Sequence, residues 1–277
     1  MIRHKAKKSL GQNFLKSEIA LRKIVAAGEI KPEDLILEIG PGKGALTEKL
    51  LATSCRVLAV EKDRELFEFL KIKFAEEIKS NTLMLACEDI LNFNLQNYKL
   101  ITKDYKLIAN IPYNITGAIL KKFLTDDNQP ERMVLMVQHE VAKRITTPSP
   151  SSTRRGGKES LLSISVKAYG EPKMILKVPA RYFSPAPAVN SAIISITNIS
   201  RKIFIPPPSL PLAKGEVPKA EGVDEEKFWQ IVKTGFAHKR KRLGGNLKTL
   251  CPKCPKELEN KRAEDLTLKD WVFLAKI

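Results

Sequence analysis

The sequence predicts an α/β fold with a doubly wound, mostly parallel sheet, followed by a small all-helical domain at the carboxyl end. Three observations predict it. Short apolar runs recur at Leu35–Ile39, Arg56–Val60, Leu83–Ala86, Leu107–Ala109 and Met133–Val137, as strands buried on both faces of a parallel sheet do. Segments with helical spacing lie between them, such as Leu66, Phe69, Leu70 and Phe74. Beyond a proline-rich stretch, only helical patterns remain. Residues 1–202 are therefore read as the α/β domain, 203–222 as a linker and 223–277 as the helical domain.

At 277 residues the chain can bury a full core, and a large domain with a smaller companion is the natural division. Lysine and arginine number 48 against 31 acidic residues, a formal charge of +17. A surplus that large suits a polyanion, either nucleic acid or an anionic membrane surface. No basic amphipathic helix carries a Trp/Phe/Leu face, and no apolar run approaches the roughly 20 residues that span a bilayer. Nucleic acid is the better partner. Four cysteines do not make a disulfide scaffold, and the basic start Met1–Ser9 is not followed by a signal-peptide core, so a cytoplasmic location is expected.

Taken in order, Arg3, Lys5, Lys7 and Lys8 form a basic arm that enters Gly11-Gln12-Asn13-Phe14-Leu15. This is not core material; it reads as a segment lying across a ligand, with Asn13 offering its amide. Glu18–Ala27 follows as a helix with Ile19, Ile24 and Val25 on its apolar side.

The run Leu35–Ile39, the turn Gly40-Pro41-Gly42-Lys43-Gly44 and the helix from Ala45 make the first βα unit. Glycine lets the backbone approach a ligand, and a helix start offers free N–H groups. A phosphate loop needs Gly-Lys-Ser/Thr, and Ala45 stands where the hydroxyl belongs. A dinucleotide turn reads Gly-x-Gly-x-x-Gly, whereas this one reads Gly-x-Gly-x-Gly, and Glu38 sits badly beside a pyrophosphate. The remaining reading is S-adenosylmethionine, whose zwitterionic methionine end suits a shorter turn. Glu61 closes the second strand about 20 residues past the glycines, where an acid accepts hydrogen bonds from ribose hydroxyls. It is preferred to Asp63 because it comes first after the apolar run. Asp89, after the third strand, is placed to receive the amino group of the cofactor's adenine.

The fourth strand is broken by Asn110-Ile111-Pro112-Tyr113. Pro112 cannot donate to a ladder, so the strand ends there with carbonyls pointing outward. An amide, bare carbonyls and an aromatic ring thus meet at a strand's carboxyl end, where open α/β sheets place ligands. An adenine fits this set: Tyr113 takes its face, while the Asn110 oxygen and a carbonyl at Ile111 or Pro112 take its two amino hydrogens. Two such acceptors pull the amino lone pair out of the ring and make the nitrogen nucleophilic. Ile115–Leu124 is read as a helix, and Leu161–Val166 and Ser191–Ile196 as closing strands. Between those strands, Pro185 and Pro187 stiffen a loop that holds Phe183 at the mouth of the site, opposite Tyr113.

In the second domain, Glu225–Lys248 and Leu258–Ile277 read as helices, with Phe228, Ile231, Val232 and Phe236 on one face. Lys239, Arg240, Lys241 and Arg242 form a dense patch for phosphate contact. Cys251-Pro-Lys-Cys254 supplies two thiols where a structural zinc wants four ligands, and His4, His139 and His238 show no ligand spacing, so no metal is expected.

Six blocks in order resemble a known family, the ribosomal RNA adenine N6,N6-dimethyltransferases of the small subunit (RsmA/KsgA type). They are Gly11–Leu15, Glu38–Gly44, Asn110–Thr116, Phe183–Pro187, Arg240–Leu243 and Arg262–Leu266. The resemblance covers nearly the whole chain. It implies a Rossmann-like class I S-adenosylmethionine-dependent methyltransferase domain with a small all-helical carboxyl-terminal domain. Cofactor contacts are implied at Asn13, Leu15, Gly40 and Gly42, and at Glu61, Asp89 and Asn110; Asn110, Pro112, Tyr113 and Phe183 fall at the catalytic place. The implied reaction dimethylates two adjacent adenosines in a hairpin loop near the 3′ end of 16S rRNA, during assembly of the 30S subunit, by a monomer without metal, membrane or DNA. The chain departs from the family at Gly157-Lys-Glu-Ser160, at Asn190 where Asp is usual, and in its longer linker. Two alternatives stand beside this reading: a large-subunit (23S) dimethylase of the macrolide-resistance type, and a non-catalytic rRNA-binding assembly factor.

Overall fold

The apolar runs of the sequence form the middle of a seven-stranded sheet. A computed structural model of the chain describes residues 6–7, 10–98, 105–150, 157–204, 222–238, 240–252 and 254–277. Its elements begin with β1 (Phe14–Leu15), α1 (Glu18–Gly28), β2 (Leu35–Ile39), α2 (Ala45–Leu51), β3 (Arg56–Val60) and α3 (Arg64–Lys73). They continue with α4 (Ala75–Lys79), β4 (Leu83–Ala86), β5 (Tyr105–Asn110), α5 (Thr116–Thr125), β6 (Arg132–Gln138) and α6 (His139–Thr146). Then come α7 (Leu161–Lys167), β7 (Glu171–Val178), β8 (Phe183–Ser184) and β9 (Ser191–Thr197). The chain closes with α8 (Glu225–Phe236), α9 (Leu243–Leu247), α10 (Lys256–Glu259) and α11 (Leu268–Lys276).

Two units emerge: residues 1–143 with 171–199, and residues 144–170 with 200–277. The sequence places one division near 202, whereas the contacts group 144–170 with the carboxyl-terminal helices. Of the linker expected at 203–222, residues 205–221 lie outside the described residues.

In the first unit the strands run in the order β4-β3-β2-β5-β6-β9-β7. The first five are parallel, and β9 runs antiparallel to both β6 and β7. Every residue of β2 is buried, as a parallel strand covered on both faces requires. Ser17 caps α1 by accepting from the Ala20 N–H, and the helix buries Ala20, Leu21, Ile24 and Gly28. Ile19, expected beside Ile24, is instead 65% exposed. Five residues apart at 3.6 per turn, the two cannot share a face. Phe69 is likewise at the surface, while Leu66, Leu70 and Phe74 are buried as their spacing predicts.

The closing strands differ from expectation. Leu161–Val166 lies in the helix α7, not in a strand. Ser160 accepts from the Ser163 N–H at 3.1 Å and Ser163 Oγ from the Ser160 N–H at 2.7 Å, a reciprocal cap that fixes a helix start. The outer strand is β7 instead, where Pro172 is tolerated because the strand lies at the sheet's edge.

The second unit is helical among its described residues. Tyr169, Phe204, Phe228 and Trp229 pack ring against ring, and Trp271 is fully buried. The long helices expected over 225–248 and 258–277 are each broken in two: α8 stops at Phe236 before α9, and Thr267, boxed with Asp270, restarts the chain as α11 after α10. Among the described residues no helix is long and apolar enough to cross a membrane.

Candidate active site

Strands β2 and β5 are neighbours, but the chain leaves them toward opposite edges of the sheet. Their carboxyl ends therefore splay and leave a crevice. A cleft of about 560 Å³ opens there. The arm from Leu10 to Lys16, the glycine turn, the residues closing β3 and β4, and Asn110–Ile115 form its walls.

Gly40 and Gly42 both adopt positive φ, at 64° and 60°, which glycine alone enters without strain. A Cβ on Gly40 would meet nothing within 4 Å, so this backbone faces open cleft. A Cβ on Gly42 would come within 3.0 Å of the Phe14 ring, so the arm packs directly on the turn. The Lys43 ammonium sits 4.9 Å from the centroid of the same ring.

The acids divide their roles. Glu61 is nearly buried in the cleft wall, and its carboxylate accepts from Gly42 N (3.1 Å) and Asp63 N (2.8 Å). Burial pushes its pKa up, against the pull of those two N–H donors. Asp63 does not line the cleft; it caps α3 through Glu65 N at 3.1 Å and receives Lys7 Nζ and Gln12 Nε2, each at 2.8 Å. Of the two acids, Glu61 lines the cleft and Asp63 does not. Asp89 lines the cleft, accepting from Lys62 Nζ at 2.8 Å and Leu91 N at 3.0 Å. The hydrogen bond from Lys62 leads the effects that lower its pKa. Glu38, deeper still, accepts from Thr47 Oγ1 at 2.7 Å, and burial pushes its carboxyl up to about 8.

At the end of β5, Asn110 Nδ2 donates to the Asn13 carbonyl at 3.2 Å, which leaves Oδ1 as its acceptor. Pro112 O already takes a 3.3 Å bond from Ile115 N but has a second lone pair. Pro112 and Tyr113 line the cleft, and the Tyr113 hydroxyl shares a hydrogen bond with Ser191 Oγ. The Asn13 amide turns back onto Gly11 O at 3.1 Å, so its backbone carbonyl carries the contact to Asn110. Leu15 is buried and also lines the cleft.

Phe183 departs from expectation. It pairs with Leu15 across β1 and β8, is 4% exposed, and belongs to the hydrophobic core, with Ser184 rather than Phe183 in the cleft wall. The apolar ring follows its strand inward, and the next residue faces the opening. Lys7 differs too. Its ammonium lies on Asp63 and Glu65, at 2.8 and 3.1 Å, and is committed within the fold. Arg240, Lys241 and Arg242 are exposed, with Arg242 donating to Asn260 Oδ1 at 3.0 Å, while Arg3, Lys5, Lys8 and Lys239 lie outside the described residues. Gln12, Thr47 and Ser191 carry no local sequence signal, because each acts through a partner 9 to 78 residues away.

The fit to S-adenosylmethionine rests on two features: open space at Gly40, and the carboxylates of Glu61 and Asp89 on the cleft wall. Fold and cleft together define a class I S-adenosylmethionine-dependent methyltransferase. The model for the family described as ribosomal RNA adenine dimethylase matches residues 3–272, and the chain belongs to that family. The chain is 40% identical over 244 residues to ribosomal RNA small subunit methyltransferase A of Dehalococcoides mccartyi, covering 86% of this chain and 73% of the relative. The same-named protein of Fusobacterium nucleatum is 36% identical over 99% of this chain and 97% of its own. Among solved structures, a dimethyladenosine transferase from Plasmodium falciparum is 25% identical with a TM-score of 0.70, covering 94% of this chain and 95% of that one. The 23S rRNA methyltransferase ErmE, 22% identical with a TM-score of 0.68 over 95% of this chain and 98% of its own, shares the fold.

Proposed function

We propose that this enzyme methylates the N6 nitrogens of two adjacent adenosines in a hairpin loop near the 3′ end of small-subunit rRNA. It acts as a monomer, in the cytoplasm, on assembling 30S particles. The observation that carries the reading is Asn110-Ile-Pro-Tyr113 at the end of β5, with the Asn110 amide held by the Asn13 carbonyl in the cleft wall. The relatives named for the small subunit match over most of the chain, which supports this substrate over the large-subunit alternative.

S-adenosylmethionine, when bound, supplies an electrophilic methyl group. The glycine turn would hold its amino acid end, Glu61 its ribose and Asp89 its adenine. The target adenine leaves its stack to enter the cleft, as base-modifying enzymes require. Tyr113 takes its face, Asn110 Oδ1 accepts one amino hydrogen, and a carbonyl at Ile111 or Pro112 accepts the other. These acceptors draw the lone pair out of the ring. Once alkylated, the nitrogen is acidic and its proton leaves to water, so no strong base is needed. Exposed Arg240, Lys241 and Arg242, together with Arg3, Lys5, Lys8 and Lys239, contact phosphates.

The test is transfer of labelled methyl groups to undermethylated 30S particles, 50S particles and DNA. Label on 30S alone, mapped to N6,N6-dimethyladenosine near the 3′ end, is expected. Label on 50S in preference to 30S would replace this reading with the large-subunit one.

A further inference from the structure

The arm whose residues 10–16 line the cleft is fixed at both ends. At its far end, Phe14 and Leu15 pair with Ser184 and Phe183, and Lys16 N donates to Tyr182 O at 2.8 Å. At its near end the anchor centres on Asp63, with the Glu65 carboxylate also 3.1 Å from the Lys7 ammonium. Asp63 takes Lys7 Nζ and Gln12 Nε2, both at 2.8 Å, and Lys7 N closes the loop onto Gln12 Oε1 at 2.8 Å. The Asp63 N–H, meanwhile, donates to Glu61 Oε1.

One residue therefore touches both halves of the site without lining the cleft itself. Its carboxylate holds the arm, and the arm carries the Asn13 carbonyl that orients the Asn110 amide. Its backbone holds the acid placed for the ribose.

We propose that Asp63 is a positioning residue that tethers the arm lining the cleft, setting both cofactor affinity and the orientation of Asn110. The plainer role, capping α3, needs only an acceptor for Glu65 N. Asparagine supplies that acceptor as well as aspartate does. A tether needs more: a charge for Lys7 and a second acceptor for Gln12, neither of which an amide provides. Both donors come to a side chain with no exposed surface, where charge-assisted hydrogen bonds count most.

This rests on the cofactor placement given above, and the experiment separates the two. The full-length protein is compared with Asp63→Asn, Gln12→Ala, the double variant and Glu61→Ala. Calorimetry gives the S-adenosylmethionine Kd, thermal melting the Tm, and hydrogen exchange the protection of residues 10–15. Asp63→Asn and Gln12→Ala are each expected to raise Kd roughly tenfold, the size of one charge-assisted bond. The double variant should do little worse than either alone. Protection of the arm should fall while Tm stays near that of the parent. In turnover, kcat should fall as well as KM rise, because Asn110 loses its partner. A normal Kd and an intact arm in Asp63→Asn, with Glu61→Ala impaired, would overturn the tether alone. A fall in Tm that accounts for the loss would reduce Asp63 to a cap. Normal binding in Glu61→Ala would instead overturn the cofactor placement.

Discussion

Asn110 Nδ2 donates to the carbonyl of Asn13 at 3.2 Å, joining positions 97 residues apart in sequence. The bond commits the amide nitrogen and leaves Oδ1 as the acceptor at the strand end. Asn110→Ala removes that acceptor and leaves the basic surface untouched. Methyl transfer should fall by roughly 100-fold or more, as when a positioning group is lost, while rRNA affinity in a filter-binding assay stays near the parent value. Unchanged turnover would remove Asn110 from the mechanism.

Tyr113 and Ser191 form a second tie, from the loop after β5 to the start of β9. The ring is the proposed platform for the base, and such stacking contributes about 1–3 kcal/mol per base. Tyr113→Phe keeps the face and loses only the hydroxyl, so it should retain most activity, and Ser191→Ala should match it. Tyr113→Ala should lose about ten- to a hundredfold in kcat/KM. If alanine performed as well as phenylalanine, the ring would have no part in holding the base.

The parallel half of the sheet was legible because its strands are apolar throughout, and no helix period competes with such runs when they stay short. That Glu61 and Asn110 line the cleft was legible for a related reason: each stands where an apolar run stops, and strand ends face the crevice. What was not legible depends on contacts made after folding. Leu161–Val166 alternates like a strand, yet the Ser160–Ser163 cap makes it helical. Phe183 sits in a proline-rich loop that suggests exposure, yet its pairing with Leu15 draws it into the core. Lys7 looks like one more basic residue of the arm until Asp63 appears beside it.

Glu38 gives a pH test. Its carboxyl is pushed up from 4.5 to about 8, chiefly by burial, with the Thr47 hydroxyl opposing and the Glu61 charge adding. The folded state therefore holds a proton that the unfolded chain releases. The corresponding stability is complete below pH 4.5 and is lost as pH rises toward about 8. Glu38→Gln still accepts from Thr47 and cannot ionise. Urea midpoints measured from pH 5 to 9 should decline for the parent and stay flatter for the variant, which overtakes it at the alkaline end. Equal slopes would show that Glu38 is not the group responsible.

The patch at Arg240, Lys241 and Arg242 predicts a salt effect. Each phosphate contact releases condensed counterions, so each lost cation lowers the slope of log affinity against log salt by roughly 0.7–0.9. Replacing all three with glutamine should weaken rRNA binding and flatten that slope by about 2–3. Cofactor affinity should be unaffected, since none of the three lines the cleft. An unaltered slope would place the RNA elsewhere on the surface.

Lys106 makes the last case, at the amino end of β5, away from the cleft. Its ammonium donates to Asp34 Oδ2 and to Glu29 O, each at 2.7 Å, and the two charged side chains are only 3% and 11% exposed. Asp34 also accepts from Lys31 N at 2.7 Å, so the pair stitches the turn after α1 to the start of the sheet. A buried pair adds little over an apolar substitute, but removing one partner strands the other charge at a cost of about 3–5 kcal/mol. Lys106→Met should lower the free energy of unfolding in urea by that much. Adding Asp34→Leu should restore most of the loss, because no unpaired charge is then left inside. Methyl transfer per folded molecule should be the same in all three proteins. If the double variant were as unstable as Lys106→Met, the turn would depend on the Lys31 contact rather than on the ion pair.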